Sequence, residues 1–354
     1  MQPLLLTTTE DGTGKTSIAL ALAQLASQRD LSIGYMKPKG TRLQSHLGKT
    51  IDQDPVFAAE LLGLDEPIET LEPIVYSPTF IQGVLRGHDD PKALRDRVIG
   101  SIDTLAEKHD LLIVEGGGDL DVGAILRMSD PELASLIDAR TVLTATYQEP
   151  SDVDQTVAAA RRFDDYLEGI LFNAIGDSVV DELEADVASY LEAEGIGVLG
   201  VIPRLRELAG VTVDQLANEL GGELLSTEGT DRLVERFLIG AMGREAASAH
   251  LRRTRAAAVI TGGDRADIQS IAIEAPGVEC LILTGSMRPS EAIIGRATSA
   301  GMPVLLCAAD TRTIVDRAEA IVRSGRTRDV EAVELMRSLL EDHTDVDALL
   351  GHQD

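Results

Sequence analysis

Tryptophan is absent from this chain, aromatic residues make up 3%, and lysine accounts for only 6 of the 32 basic residues. No apolar run approaches the roughly 18 residues that a membrane-spanning helix needs. The N-terminus has no basic leader before its apolar stretch, which predicts a cytoplasmic protein. Positive charge is scarce: 32 Lys and Arg face 59 Asp and Glu, for a formal charge of -27 spread along the whole length. That balance argues against nucleic acid or an anionic membrane as partner, since both would be repelled. There are two cysteines, Cys280 and Cys307, each lying in an apolar run without metal-type spacing, so they read as buried inert thiols.

An acid-rich, lysine-poor, ring-poor composition resembles that of proteins from salt-loving organisms. Near 1 M salt the Debye length falls to roughly 3 Å, and self-repulsion of this size is largely screened. With 354 residues, 44% of them hydrophobic, the chain can bury two ordinary cores.

Short apolar runs at 4–6, 33–36, 111–114, 141–145, 169–172 and 198–202 alternate with amphipathic stretches, among them "TSIALALAQLASQRD", "DPKALRDRVIGSIDTLAEKHD" and "SDVDQTVAAARRFDDYLEG". Such alternation predicts a parallel sheet with helices on both faces. After Pro203 the rhythm falters into a connector with small helical pieces. Three strand-then-helix units follow, beginning at "AAAVITGG", "VECLILTG" and "PVLLCAAD", and they predict a second, smaller α/β domain. The expected division is 1–210, 211–335, and 336–354 as the end of a C-terminal helix followed by an acidic tail, frayed over "EDHTDVDALLGHQD".

The lysines are not scattered. Lys15, Lys37, Lys39 and Lys49 all fall within the first 50 residues, a clustering that suggests an anion held by compact point charges. The segment "LLLTTTEDGTGKTSIAL" supplies a setting for one: a strand, a glycine-bearing turn, and a helix opening at Gly-Lys-Thr. In that geometry backbone N–H groups and the helix dipole can meet a polyphosphate, so Lys15 would reach the β- and γ-phosphates and Thr16 would ligate Mg²⁺. The strict pattern G-x-x-x-x-G-K-[ST] is not met, because Thr9 stands where its first glycine belongs. Gly12 and Gly14 still give the turn its freedom next to Lys15. "HLGKT", around Lys49, is no second such loop, since no apolar strand leads into it.

"TTTEDGTGKTS", then "GYMKPKG", "VEGGGD" and "GILFNAI", in this order and spacing, resemble dethiobiotin synthetase and its relatives over about residues 1–205. The resemblance implies an α/β P-loop NTPase-type fold that binds ATP and Mg²⁺. Gly12, Thr13, Gly14, Lys15, Thr16 and Ser17 would hold phosphate. Lys37 would join Lys15 in neutralising the reacting carboxylate and its phosphorylated intermediate. Thr16, Asp54 and Glu115 would hold Mg²⁺, which prefers one or two hard oxygens plus phosphate and water. Asn173 would read adenine. From the residues alone, Glu115 also reads as a cap, Asp52 and Asp54 as solvated loop acids, Lys37 as a surface residue and Asn173 as a turn former.

"RTRAAAVITGGDRADIQSIAIEA" is similar to the signature of the DRTGG domain. Gly262, Gly263, Asp264 and Arg265 read either as a small polar ligand's site or as a tight turn with an internal Asp264–Arg265 ion pair. A dethiobiotin synthetase-like domain followed by a DRTGG domain resembles the N-terminal, non-catalytic region of long phosphate acetyltransferases. That implies an ATP-responsive regulatory or scaffold protein with a partner in acetyl-CoA or acetate metabolism, forming a homodimer, with no acetyl transfer of its own. An ATP-dependent ligase and a structural module with a vestigial loop are the alternatives.

Overall fold

The computed structural model describes residues 2–46, 49–324 and 328–351. The chain divides into two compact units, Met1–Arg204 with Thr327–Asp354, and Leu205–Arg326. The first unit therefore takes back the chain's end.

Six strands form its central sheet: β1 (Leu4–Thr8), β2 (Ile33–Met36), β3 (Leu111–Glu115), β4 (Arg140–Ala145), β5 (Leu167–Ile175) and β6 (Val198–Pro203). Their order is β6-β5-β4-β1-β3-β2, and every pair is parallel. β1, β2 and β3 are buried at every position, which is why each reads as an unbroken apolar run and not as an alternation. β1 sits between β3 and β4, with Leu6 level with Glu115 and Thr8 level with Thr144. Strand order reverses here, and open parallel sheets form their ligand crevice at such a point, beyond the strands' carboxyl ends.

Helix α1 (Lys15–Ser27) leaves Gln24 and Ser27 as its only residues that are not buried. A helix apolar nearly all round needs cover on both sides. The outer cover comes from the C-terminal helix Val330–His343, which packs on α1 and β6 and buries Ala332, Val333, Met336, Leu339 and Leu340. Asp329 caps it by accepting the N–H groups of Glu331 and Ala332. Beyond it, Asp347 pairs with Arg29 at 2.7 Å, and the carbonyls of Ala348 and Leu349 accept from Arg140. The helix end expected from 336 is present, and the stretch expected to fray from 341 packs instead on the first unit as far as it is described, burying Val346, Leu349 and Leu350. Its acidic surface residues mask an apolar stripe. The expected helix after Ser151 is also shorter than its sequence suggested: it stops at Ala160, and β5 begins at Leu167.

The second unit holds a five-stranded sheet. Ala257–Gly262, Val278–Thr284 and Val304–Leu306 are its three expected strands. Arg236–Ile239 adds a parallel edge and Glu223–Ser226 an antiparallel one. Cys280 and Cys307 are both buried free thiols. Burial pushes Cys307 up to about 11 and Cys280 higher still, so neither is poised for reaction.

Candidate functional site

The turn between β1 and α1 is built around two left-handed glycines, Gly12 (φ 87°) and Gly14 (φ 85°). A Cβ on Gly14 would also lie 2.5 Å from Asn173 Nδ2. The threonines that replace the usual glycine brace the turn from below. Thr8 Oγ1 lies 2.6 Å from Thr13 Oγ1 and donates to the Glu10 carbonyl at 2.8 Å, while the Thr9 N–H donates to Thr144. No side chain caps α1, and its first backbone bond runs from Ile18 N–H to the Gly14 carbonyl. The N–H groups of Lys15, Thr16 and Ser17 therefore have no partner within the helix, the arrangement that receives an anion.

Lys15 is not extended over these amides. Its buried ammonium donates to the carbonyls of Gly116, at 3.0 Å, and Gly117. Burial lowers its proton affinity, against the pull of Glu115 and Asp130. Glu115, at the end of β3, accepts from Thr16 Oγ1 at 2.7 Å and from the Tyr35 hydroxyl at 2.6 Å. The glycines after Glu115 are required by close approach: a Cβ on Gly116 would fall 2.0 Å from Asp130 Oδ2.

Lys37 follows β2 directly, and its ammonium lies among three carboxylates. It is 2.5 Å from Asp54 Oδ2, 2.9 Å from Asp52 Oδ2 and 3.6 Å from Glu115 Oε1, and all four side chains are buried. Burial alone would lower the lysine, but Asp54, Glu115 and Asp52 outweigh it and hold it above the ordinary value. Burial likewise raises Asp54, and Lys37 with Arg42 overrides that to leave it at about 2. Asp52 caps helix α2 (Gln53–Leu62) and also accepts the N–H groups of Thr41 and Arg42. Its own N–H is held by Glu72, whose carboxyl burial pushes up to about 7.

The structure thus brings Gly12, Thr13, Gly14, Lys15, Thr16, Ser17, Lys37, Asp54 and Glu115 to one crevice. The readings of Lys37 as a surface residue and of Asp52 and Asp54 as solvated acids fall away, because their side chains are at most 3% exposed. Asn173 faces the same turn, with its Nδ2 donating to the Thr13 carbonyl at 2.7 Å. Lys39 has a structural place instead, buried on Asp130 and on the carbonyls of Val122 and Met128. The side chain of Lys49 lies outside the described residues.

Among the described residues, no three His, Cys, Asp or Glu side chains form a self-contained metal site. A Mg²⁺ ion needs fewer when phosphate supplies the rest. Thr16 Oγ1, Glu115 and Asp54 offer hard oxygens at the mouth of the loop, and Asp54 Oδ1 is buried with no hydrogen-bond partner. The Lys37 ammonium fills the space between the carboxylates, a monovalent cation where a divalent one fits by charge.

Sequence reasoning did not single out Tyr35, Arg42, Glu72 or Arg328. Tyr35 lay inside the quoted "GYMKPKG", but nothing in a lone tyrosine signals a bond to Glu115. Arg328 is remote from the loop in sequence, and only folding brings it near Asp54, 3.8 Å away.

In the second unit the turn at Gly262, Gly263, Asp264 and Arg265 is closed by its own chain. Gln269 Nε2 donates to the carbonyls of Gly262 and Gly263 at 3.1 and 3.0 Å, and Arg265 N–H donates to Gly262. The Arg265 guanidinium pairs with Asp267 at 3.0 Å and with the Met242 carbonyl, so in place of the Asp264–Arg265 ion pair of the tight-turn reading the arginine pairs with the acid two residues on. A Cβ on Gly263 would fall 1.6 Å from the Met287 carbonyl oxygen, which accounts for that glycine by packing alone.

Comparison with known proteins agrees with this division. An AAA domain matches residues 2–212 and a DRTGG domain residues 215–321. The chain is 24% identical to a phosphate acetyltransferase of Pseudomonas putida over 98% of its own length, and spans about half (51%) of that relative. It is 25% identical to the ATP-dependent dethiobiotin synthetase of Methanocaldococcus jannaschii, over 56% of this chain and 92% of that one. It is 26% identical to a cobyric acid synthase of Salmonella gallinarum over 58% of this chain and 45% of that one. Among solved structures, the MinD cell division protein of Aquifex aeolicus aligns at 14% identity and TM-score 0.39, over 59% of this chain and 84% of that one. The chain belongs to the AAA domain family, here with a DRTGG domain joined to it.

Proposed function

We propose that the first unit binds ATP with Mg²⁺, and that the protein is a nucleotide-responsive regulator or scaffold. One observation carries the reading: Thr16, Glu115, Lys37 and Asp54 form a continuous buried chain of polar contacts at the open N-terminus of α1. Burying three carboxylates around one ammonium carries a desolvation penalty, and a role in binding a ligand accounts for keeping such a cluster. The relatives' printed names support both nucleotide and acetyl chemistry, and the partner on this reading is an enzyme of acetyl-CoA or acetate metabolism. By likeness to the family, the protein acts as a homodimer.

On this reading Thr16, Asp54 and Glu115 hold the metal, which when bound neutralises phosphate charge. Lys15 exchanges two neutral carbonyls for anionic phosphate oxygens, a stronger class of acceptor. Asn173 keeps the turn open by holding the Thr13 carbonyl. Phosphoryl chemistry at such a site is mostly positioning and charge neutralisation.

A second reading starts from the Lys37 ammonium, whose partners Asp54 and Glu115 are the carboxylates a metal would take, leaving its charge for a substrate. There Lys37 steadies a substrate carboxylate whose oxygen bonds to the γ-phosphorus as the β–γ bridge breaks and ADP leaves. An amine then displaces phosphate from the acyl phosphate.

Thermal unfolding in molar KCl with Mg-ATP tests the shared premise. Stabilisation by RT ln(1 + [L]/Kd), about 2.7 kcal/mol at a hundredfold excess over Kd, is expected. No shift overturns nucleotide binding. Lys15→Ala abolishes the shift under either reading. Lys37→Ala that binds ATP but loses turnover supports the ligase, and unchanged basal turnover supports the regulator.

A further inference from the structure

Three polar atoms stand close together without a hydrogen-bond partner: Arg42 Nη1, Arg328 Nη1 and Asp54 Oδ1, all buried. Arg42 Nη1 is 4.0 Å from Asp54 Oδ2, and Arg328 Nη1 is 3.8 Å from Asp54 Oδ1. These distances give attraction between charges but no hydrogen bond. The other end of Arg42 is anchored, with Nη2 2.9 Å from Asp11 Oδ1. Asp54 cannot close the gap, because its Oδ2 is engaged by Lys37 at 2.5 Å. Buried donors and acceptors are almost always satisfied, so three exceptions on one carboxylate indicate a missing group.

We propose that Arg42 and Arg328 are a second oxyanion-binding pair beside the phosphate loop, held on Asp54 until a phosphoryl-type oxyanion takes their free N–H groups. This rests on the nucleotide reading above. If Asp54 turns to a metal, Arg328 and the free Nη1 of Arg42 lose the carboxylate they share, while Asp11 still holds the other end of Arg42. Two planar forks beside the two oxygens of one carboxylate match the oxygens of a phosphate or a substrate carboxylate in its place, and water would supply acceptors but no charge. The oxyanion is either the terminal phosphate of the nucleotide or a separate small anion bound beside it. Arg328 is placed for this by the return of the chain: the second unit ends at Arg326, and Asp329 begins the cap of the helix packed on α1. The pair is therefore incomplete in the portion of the unit that precedes residue 205.

The test is calorimetry and thermal unfolding of the full chain in fixed KCl, with Mg-ATP, Mg-ADP, Mg-ADP plus inorganic phosphate, and inorganic phosphate alone. Arg42→Gln and Arg328→Gln are compared with wild type. If the pair holds the terminal phosphate, each variant loses tenfold or more in Mg-ATP affinity and keeps Mg-ADP within threefold. If it holds a separate anion, both nucleotides bind as in wild type, and the stabilisation that phosphate adds to the Mg-ADP complex disappears. Variants that match wild type in every arm overturn the pair and leave nucleotide binding standing. A wild type that takes no nucleotide but is stabilised by phosphate through these arginines overturns the nucleotide reading alone. No response in any arm overturns both. Should Arg328→Gln fail to fold by circular dichroism, Arg328→Lys replaces it: charge is kept, the fork is lost, and ATP is no longer separated from ADP.

Discussion

Thr16 Oγ1 donates to Glu115 Oε1 at 2.7 Å, tying the first turn of α1 to the end of β3. The same carboxylate takes the Tyr35 hydroxyl and faces the Lys37 ammonium. Glu115 is therefore where loop, sheet and lysine meet, and a change in the cation beside it is felt by all three.

Replacing Lys37 separates a structural cation from a chemical one. Lys37→Ala leaves Asp52, Asp54 and Glu115 buried without their common counter-ion, and removing one partner of a buried ion pair costs about 3–5 kcal/mol. In metal-free buffer the variant is expected to melt well below wild type. Millimolar Mg²⁺ should then stabilise it more than wild type, because the ion enters the space the ammonium left. Equal Mg²⁺ responses in thermal melts would show that the carboxylates do not form a cation site.

Gly14 is constrained twice, by its left-handed φ of 85° and by Asn173 Nδ2, which a Cβ would approach to 2.5 Å. Left-handed backbone costs an alanine about 1–2 kcal/mol. Gly14→Ala is expected to destabilise by at least that much and to abolish the Mg-ATP shift. Adding Asn173→Ala relieves the contact but not the backbone, so the double variant should recover only part of the loss in urea unfolding. Full recovery would show that the left-handed turn is dispensable.

The parallel sheet was legible because its strands are buried and read as continuous apolar runs. The loop was legible because helix-opening chemistry is local in sequence, and Lys37, Asp54 and Glu115 came from a resemblance to a family. What escaped reading depends on distant contact. Arg328 becomes part of the crevice only because the chain crosses into a second unit and returns. The end of helix Val330–His343 was legible as a helix, but the packing of that helix on α1, and of the acidic ending beyond it on the first unit, depends on a contact with the chain's beginning. Edge strands Arg236–Ile239 and Glu223–Ser226 are half wet and four residues long, with three and two apolar residues, and no regular strand-then-helix rhythm surrounds them to mark them out.

Leu340 is fully buried on that returning helix. Truncating such a leucine to alanine costs about 2–5 kcal/mol. Leu340→Ala is expected to lower the stability of the first unit alone. Native-state hydrogen exchange should show faster exchange in α1, with strands Ala257–Gly262 and Val278–Thr284 unchanged. Loss of protection in those strands as well would mean that the helix supports the second unit too.

Glu72 gives stability a pH dependence of a definite sign. Burial raises its carboxyl to about 7 in the folded protein, above the roughly 4.3 of an exposed glutamate. Between those values the folded chain holds a proton that the unfolded chain has released. Its contribution is thus fully present below about pH 4.3 and is lost as pH rises through 7. Asp54, held at about 2, has the opposite sign, contributing above about pH 3.9 and failing only in strong acid, so it does not mask the effect. Glu72→Gln keeps an acceptor for the Asp52 N–H and removes the titration. Between pH 5 and pH 8 in constant high salt, wild type is expected to lose on the order of 1–3 kcal/mol relative to the variant. Parallel stability curves for the two proteins would mean that Glu72 titrates as an ordinary surface acid.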